Sequence, residues 1–250
     1  MRVVVTGATG NVGTALLEVL AADPVVDEIV ALARREPGRS WPKTTFSSVD
    51  VLSDDLTPHL HGADAVVHLA WVFQPTHRPL ETWGNNVRGS IRLFRAVAEG
   101  KVPTLVYASS VGAYSPAYGR EVDESWPTES LPTAGYGREK AYLERVLDAF
   151  EARHPEIRVI RIRTAFVFQQ AAGSQQRRLF AGPFAPTSVL RVGHIPIVPY
   201  PSGLRFQALH ATDAAAAYHL ALTSTSRGAF NLAADPVIDG TVLAELLGGR

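Results

Sequence analysis

Tyr136 and Lys140 stand four positions apart in Tyr136-Gly137-Arg138-Glu139-Lys140. On a helix that spacing puts both side chains on one face. A tyrosine hydroxyl ionises at about pH 10, so it is a poor base near neutrality. A cation beside it favours the phenolate and lowers that value toward a useful range. Ser110, in Tyr107-Ala108-Ser109-Ser110, offers a hydroxyl that could hold a substrate oxygen while Tyr136 moves the proton. Such a set suits redox chemistry at a carbonyl or an alcohol. Taken alone, the Tyr–Lys pair is also compatible with an ordinary helix face.

A carrier for the hydride is suggested at the N-terminus, in Val3-Val4-Val5-Thr6-Gly7-Ala8-Thr9-Gly10-Asn11-Val12-Gly13. Gly7 lets the chain leave a strand in a tight turn. Gly10 lets backbone approach a pyrophosphate, and Gly13 lets the next helix pack close to the sheet. The helix N-terminus then points N–H groups and a positive dipole at the phosphates. The end of the second strand bears on which dinucleotide is bound. It reads Ala31-Leu32-Ala33-Arg34-Arg35, with no carboxylate at the strand end. Guanidinium groups suit a 2′-phosphate, which favours NADP over NAD. The competing reading is a pair of solvated arginines, partly neutralised by Glu36.

The elements needed to position these residues are legible as alternating apolar runs and helical stretches. Strands are expected at 2–6, 29–33, 44–49, 65–69, 104–108 and 158–163. Helices are expected at 11–22, at 83–99 with Val87, Ile91, Leu93, Phe94 and Val97 inward, and within 132–153. This rhythm implies an α/β fold, a Rossmann-type doubly wound parallel sheet with a small C-terminal substrate lobe. Residues 1–165 form the dinucleotide-binding domain, rejoined by about 207–232 through a helix at 210–222 and a strand at 229–232. Prolines and glutamines break the rhythm after Ala165. Residues 166–206 and 233–250, with a last helix at 241–247, are therefore assigned to the lobe or lid.

Composition narrows the class. Of 250 residues 46% are hydrophobic, enough for a sizeable core. Lys+Arg and Asp+Glu are both 24, so no basic excess points to nucleic acid or a membrane surface. There is no cysteine, which excludes disulfides and thiolate metal sites. The histidines show no metal-ligand spacing with carboxylates, so no metal is expected. No apolar run approaches the roughly 18 residues of a membrane helix, and the N-terminus lacks signal-peptide character. A cytoplasmic protein is the expectation. His68 and His210 are read as structural. Trp71, Phe73 and Trp83 flank the loop after the fourth strand, as pocket walls or as packing.

Several short motifs in order carry a family resemblance. They are Thr6-Gly7-Ala8-Thr9-Gly10-Asn11-Val12-Gly13, His68-Leu69-Ala70, Asn86-Val87-Arg88-Gly89, Ser109-Ser110 with Tyr114, and Tyr136-x-x-x-Lys140. Arg163, His210-Ala211-Thr212-Asp213 and Phe230-Asn231-Leu232 extend the series. From about Met1 to Asn231 the sequence resembles the extended short-chain dehydrogenase/reductases, the NAD(P)-dependent epimerase/dehydratase family.

The resemblance implies Tyr136 as general acid/base, Lys140 on the nicotinamide ribose, Ser110 on the substrate oxygen and Asn86 shaping the site. It also implies a cofactor channel formed by Gly7, Thr9, Gly10, Asn11, Val12, Gly13, Asp50, Val51, Leu69, Ala70 and Ser109, besides Arg34, Arg35, Tyr136 and Lys140. Two departures weigh on the reaction. Val111-Gly112-Ala113 after Ser110 lacks the acids of sugar-nucleotide dehydratases. Thr164-Ala165-Phe166 after Arg163 lacks the Asn and Gly-Pro turn usual in sugar-nucleotide enzymes.

An NADP-dependent carbonyl reductase or alcohol dehydrogenase acting on a small, partly apolar substrate is therefore the leading expectation. The alternatives are an NAD(P)-dependent epimerase of a sugar or sugar-like substrate, and a non-catalytic NADP sensor. A homodimer is expected from the family habit. Ala141, Leu143, Val146, Leu147 and Phe150 could supply its apolar stripe or pack on the sheet instead.

Overall fold

Alternation along the strands sorts the apolar side chains onto two faces, and each face needs its own layer of helices. The computed structural model describes residues 1–73, 77–169 and 203–247. Its main sheet contains β1 (Arg2–Thr6), β2 (Glu28–Ala33), β3 (Thr44–Ser48), β4 (Ala65–His68), β5 (Thr104–Ser110), β6 (Arg158–Thr164) and β9 (Gly228–Leu232). The spatial order is β3-β2-β1-β4-β5-β6-β9, with every neighbouring pair parallel.

Val3 and Val5, Ile29 and Ala31, Ala65 and Val67, Val106, and Ile160 and Ile162 face one core. There they meet Leu16, Leu17 and Leu20 of α1 (Asn11–Ala22) and Ala215, Tyr218 and Leu222 of α6 (Ala211–Thr223). Val4, Val30, Leu32, Val66, Leu105, Tyr107 and Val159 face the other core. That layer is closed by Leu93, Phe94 and Val97 of α4 (Gly89–Glu99) and Leu143, Leu147 and Phe150 of α5 (Gly135–Arg153). Leu143, Val146, Leu147 and Phe150 of the stripe weighed as a dimer surface pack into this core. Their partners are apolar residues of the same chain, as burial of roughly 25 cal/mol per Å2 favours.

Chain direction reverses its winding between β1 and β4, and open parallel sheets leave a crevice at such a switch point. Four expectations are adjusted. The helix expected at 83–99 begins earlier, as α3 (Pro79–Trp83), and passes through a π turn, Gly84–Arg88, into α4. β5 runs to Ser110, so both serines belong to the strand end and not to the loop beyond it. A short helix, α2 (Thr57–Leu60), lies between β3 and β4. Finally, β7 (Phe166–Phe168), β8 (Arg205–His210) and β10 (Ala234–Asp239) form a second sheet in the order β10-β8-β7, followed by α7 (Gly240–Leu247). Residues 170–202 and 248–250 of the expected lobe lie outside the described residues.

A hydrogen-bond relay ties the switch point together. Ala70 N–H donates to Thr6 Oγ1 at 3.4 Å, and Thr6 Oγ1 lies 2.6 Å from His68 Nδ1. His68 Nε2 lies 2.8 Å from Ser90 Oγ, which donates to the Asn86 carbonyl. Because the Ser90 proton is used on that carbonyl, the imidazole carries its hydrogen on Nε2 and accepts from Thr6 on Nδ1. Burial holds its pKa down to about 3.

The folded ring therefore stays neutral while the unfolded ring binds a proton below about 6.5. The contribution of His68 is full above that value and declines as pH falls toward 3. In urea unfolding followed against pH, His68→Gln should lose stability across this window with a slope shallower than wild type by up to about 1.4 kcal/mol per pH unit. Equal slopes for the two proteins would refute a neutral buried His68.

Candidate active site

The turn after β1 leaves backbone open at two glycines where a side chain would not fit. A Cβ on Gly7, at φ +69°, would lie 2.6 Å from Ala70 N, and one on Gly13 would lie 2.4 Å from the Gly7 oxygen. Gly10 precedes α1 without a side-chain cap, and the first turn carries no acid. The helix N-terminus is left open to an anion. A cleft of about 720 Å3 runs from this turn along the ends of β2, β3 and β4. Gly7, Thr9, Gly10, Arg34, Arg35, Asp50, Val51, Leu69, Ala70 and Trp71 are among the residues that line it.

Asn11 and Val12 lie in the first turn of α1 but outside the cleft wall. Asn11 Nδ2 donates to the Val167 carbonyl at 2.7 Å, and Gln169 Nε2 donates to the Asn11 carbonyl at 2.8 Å. Asn11 Oδ1 is buried without a partner among the described residues. Asp50 spends one carboxylate oxygen on the Leu52 N–H at 2.9 Å. Arg34 and Arg35 are exposed, and neither makes an ion pair among the described residues. Bare backbone, an open helix end and a long cleft fit a dinucleotide.

Tyr136, Lys140 and Ser110 lie beyond Trp71, outside the walls of that cleft. Gly112 brings the strand end and α5 together. A Cβ there would stand 3.4 Å from both Ser110 Oγ and Tyr136 Cε1. Gly137 is more tightly held, since a Cβ would fall 2.0 Å from Ser130 Oγ and 2.5 Å from the Gly112 oxygen. Ser130, in the left-handed region at φ 62°, donates to that same Gly112 oxygen at 3.1 Å. A serine that accepts backbone strain at this point wedges the Ser110 turn against the Tyr136 helix.

Burial raises the Tyr136 phenol above its usual range, and a hydrogen bond with Ser110 works the other way. The residue is 38% exposed, so water screens part of that penalty. Lys140 is buried, and its ammonium does not point at the phenol. It donates to the Ala108 carbonyl at 2.6 Å and sits 3.4 Å from the centre of the Trp71 ring, against 5.9 Å for Tyr136. Burial pushes it well below the usual lysine range, while the Glu144 and Glu139 carboxylates pull it back up. The Lys140 ammonium thus lies nearer the Trp71 ring than the Tyr136 ring. Trp71 and Phe73 also flank Tyr136, edge-on at 5.6 Å and stacked at 5.5 Å.

Ser109 faces away from Ser110, as successive strand residues do. Its hydroxyl donates to Glu144, a fully buried carboxylate on α5. Glu144 also accepts from Arg163 Nε at 3.1 Å and Nη2 at 2.9 Å, and from Arg161 Nη1 at 3.1 Å. Burial works to raise the Glu144 carboxyl, but Arg163 and Ser109 outweigh it and hold it below the usual range. Arg163 continues to Tyr114 OH at 2.9 Å, which donates to Asn231 Oδ1 at 2.7 Å.

Asn86, buried in the π turn, spends its amide on Val72 and Glu139. His210 caps α6 by accepting from Thr212 N at 3.3 Å. Glu144, Glu139 and Ser130 escaped sequence reasoning. A signal for Glu144 was present: it follows Lys140 by one further turn and faces Arg161 and Arg163, alternate residues of a buried strand that need a counter-ion.

Among the described residues no His, Asp and Glu cluster could hold a metal ion, and no helix is long and apolar enough to cross a membrane. The family described as the NAD dependent epimerase/dehydratase family matches residues 3–233. UDP-glucose 4-epimerase of Yersinia pestis is 29% identical over 171 residues, 62% of this chain and 50% of that protein. The same-named protein of Mus musculus is 29% identical over 166 residues, 58% of this chain and 48% of that one. The chain thus spans about half the length of the curated relatives it matches. The solved structure of MoeE5 in complex with UDP-glucose and NAD has a TM-score of 0.79 at 25% identity, covering 99% of this chain and 81% of that chain. UDP-N-acetylglucosamine 4-epimerase from Methanobrevibacter ruminantium M1 shares the fold with a TM-score of 0.79 at 22% identity, covering 97% and 79%. With its sheet, its glycine turn and residues 3–233 in agreement, this chain belongs to the NAD dependent epimerase/dehydratase family.

Proposed function

We propose that this chain is a nicotinamide-dependent epimerase that inverts a hydroxyl-bearing carbon of a sugar nucleotide or similar sugar. The observation that carries the reading is the close approach of Ser110 Oγ and the Tyr136 ring at the end of β5, both against Gly112 and next to a cleft shaped for a dinucleotide. Relatives named as UDP-glucose 4-epimerases, and a structural neighbour holding UDP-glucose and NAD, support this class over the carbonyl reductase favoured by the sequence. Bound in the cleft, the cofactor supplies a reversible acceptor for hydride.

The residues of this chain do the rest. Ser110 holds the substrate oxygen. Tyr136 takes the hydroxyl proton as the carbon is oxidised and returns it when the carbonyl is reduced on the other face. Lys140, seated against the Trp71 ring, binds the nicotinamide ribose and favours the phenolate. Asn86 shapes the wall, and Asp50, Val51, Leu69 and Ala70 hold the adenosine side. Residues 166–206 and 233–250 supply the substrate lobe. Whether the molecule acts as a homodimer is read from its mass in solution.

With NAD supplied, UDP-galactose should be converted to UDP-glucose without net change in NADH absorbance. Tyr136→Phe should lower that turnover by at least about 10²-fold and leave NADH binding intact. Undiminished turnover in the variant refutes the assignment of Tyr136.

One observation favours a second reading. Arg34 and Arg35 line the cleft without ion pairs among the described residues, where a 2′-phosphate would lie, and Glu36 is the nearest acid. This supports an NADP-dependent reductase of a partly apolar carbonyl substrate. The two readings part in a titration. The epimerase reading expects NADH to bind at least as tightly as NADPH, with the Arg34→Ala/Arg35→Ala variant unchanged toward NADH. A preference for NADPH that this variant abolishes selects the reductase.

A further inference from the structure

Glu139 is a buried carboxylate inside the Tyr136–Lys140 segment, and the proposed chemistry does not use it. Its Oε1 accepts from the Thr82 hydroxyl at 2.8 Å and its Oε2 from Asn86 Nδ2 at 2.7 Å. The same Asn86 amide takes both backbone groups of a single residue. Nδ2 donates to the Val72 carbonyl at 2.9 Å, and Oδ1 accepts from the Val72 N–H at 2.7 Å. A side chain that engages the N–H and C=O of one residue does what a neighbouring strand would do. The amide meets all three demands in one orientation. A carboxylate only accepts, so Glu139 forces the amide nitrogen toward itself and the oxygen toward the Val72 N–H. The residues on either side of Val72 are Trp71, against Lys140 and Tyr136, and Phe73, stacked on Tyr136.

We propose that Glu139 is a positioning residue: through Asn86 it fixes the backbone at Val72, so that Trp71 and Phe73 stand against Tyr136 and Lys140. This rests on the reading of Tyr136 and Lys140 as the reacting pair. One helix then carries the reacting groups and, by a carboxylate next to them in sequence, sets the aromatic wall they face. The role is one of shape. A glutamine at this position can still accept from Asn86 and donate to the Thr82 oxygen, whose proton turns to the Pro79 carbonyl 3.1 Å away. An alanine can do neither.

Protein made with fluorotryptophan gives one fluorine NMR signal for each of its 4 tryptophans. That of Trp71 is identified as the one missing from Trp71→Phe. In Glu139→Ala the Trp71 signal should shift or broaden while those of Trp41 and Trp126 stay in place. The kcat for UDP-galactose should fall at least about tenfold, as misplacement near a reacting centre does. Glu139→Gln should keep the wild-type signal and most of the turnover. A Trp71 signal unmoved in Glu139→Ala overturns the proposal. So does a Glu139→Gln variant as impaired as Glu139→Ala with Trp71 in place, because charge would then be the cause. Should Glu139→Ala not fold, Asn86→Ser cuts the same link at its other end and is read in the same way. If the wild-type protein does not convert UDP-galactose, the epimerase reading falls while the Trp71 signal still decides this one.

Discussion

Glu144 is the residue on which the arrangement of the site depends. It is fully buried on α5, and an isolated carboxylate there would cost several kcal/mol. Two guanidiniums of β6 and the Ser109 hydroxyl of β5 make its burial tolerable. Such a contact is demanding, since losing one partner of a buried pair typically costs 3–5 kcal/mol by leaving the other unpaired. The helix is consequently held in one rotation and one height against the strands. Tyr136 and Lys140 lie two turns and one turn before Glu144, and Ser110 follows Ser109. Their mutual placement is inherited from an ion cluster one helical turn beyond Lys140, whose Glu144 also favours the charge on that lysine.

Lys140 shows how finely such a site is balanced. Burial disfavours its charge, whereas Glu144, Glu139 and the face of Trp71 favour the cation. The aromatic ring acts as a stand-in for solvent. It supports the charge without contributing a competing hydrogen bond.

Most of the sheet was legible because buried parallel strands are near-continuous apolar runs, such as Val3-Val4-Val5 and Ala65-Val66-Val67. Tyr136, Lys140, Ser110 and the glycine turn were legible for a different reason, namely that their spacing follows from local geometry. What escaped is non-local. β10 is exposed and carries Pro236, so nothing in its pattern marks a strand. The partner of Glu139, Asn86, lies 53 residues away in sequence, and a carboxylate on a helix ordinarily faces water. The π turn is silent for a similar reason: Val87, Leu93, Phe94 and Val97 satisfy an unbroken helix equally well. The arginines after β2 supported NADP, while the solved structure of MoeE5 holds NAD. Exposed guanidiniums are adaptable, so their presence constrains a ligand less than a carboxylate at the strand end would.

The π turn at Gly84–Arg88 has a consequence for how this region can vary in length. A π turn holds one more residue than the α turn it replaces. Losing a single residue there would restore an unbroken ladder and leave α3 and α4 facing nearly as they do now, because the wider turn is what absorbs the extra residue. Thr82 on α3 could keep Glu139, whereas Asn86, inside the turn, would change the face it presents to Val72. A change of one residue in length at this point is therefore felt by the side chains of the turn itself and not by the helices on either side.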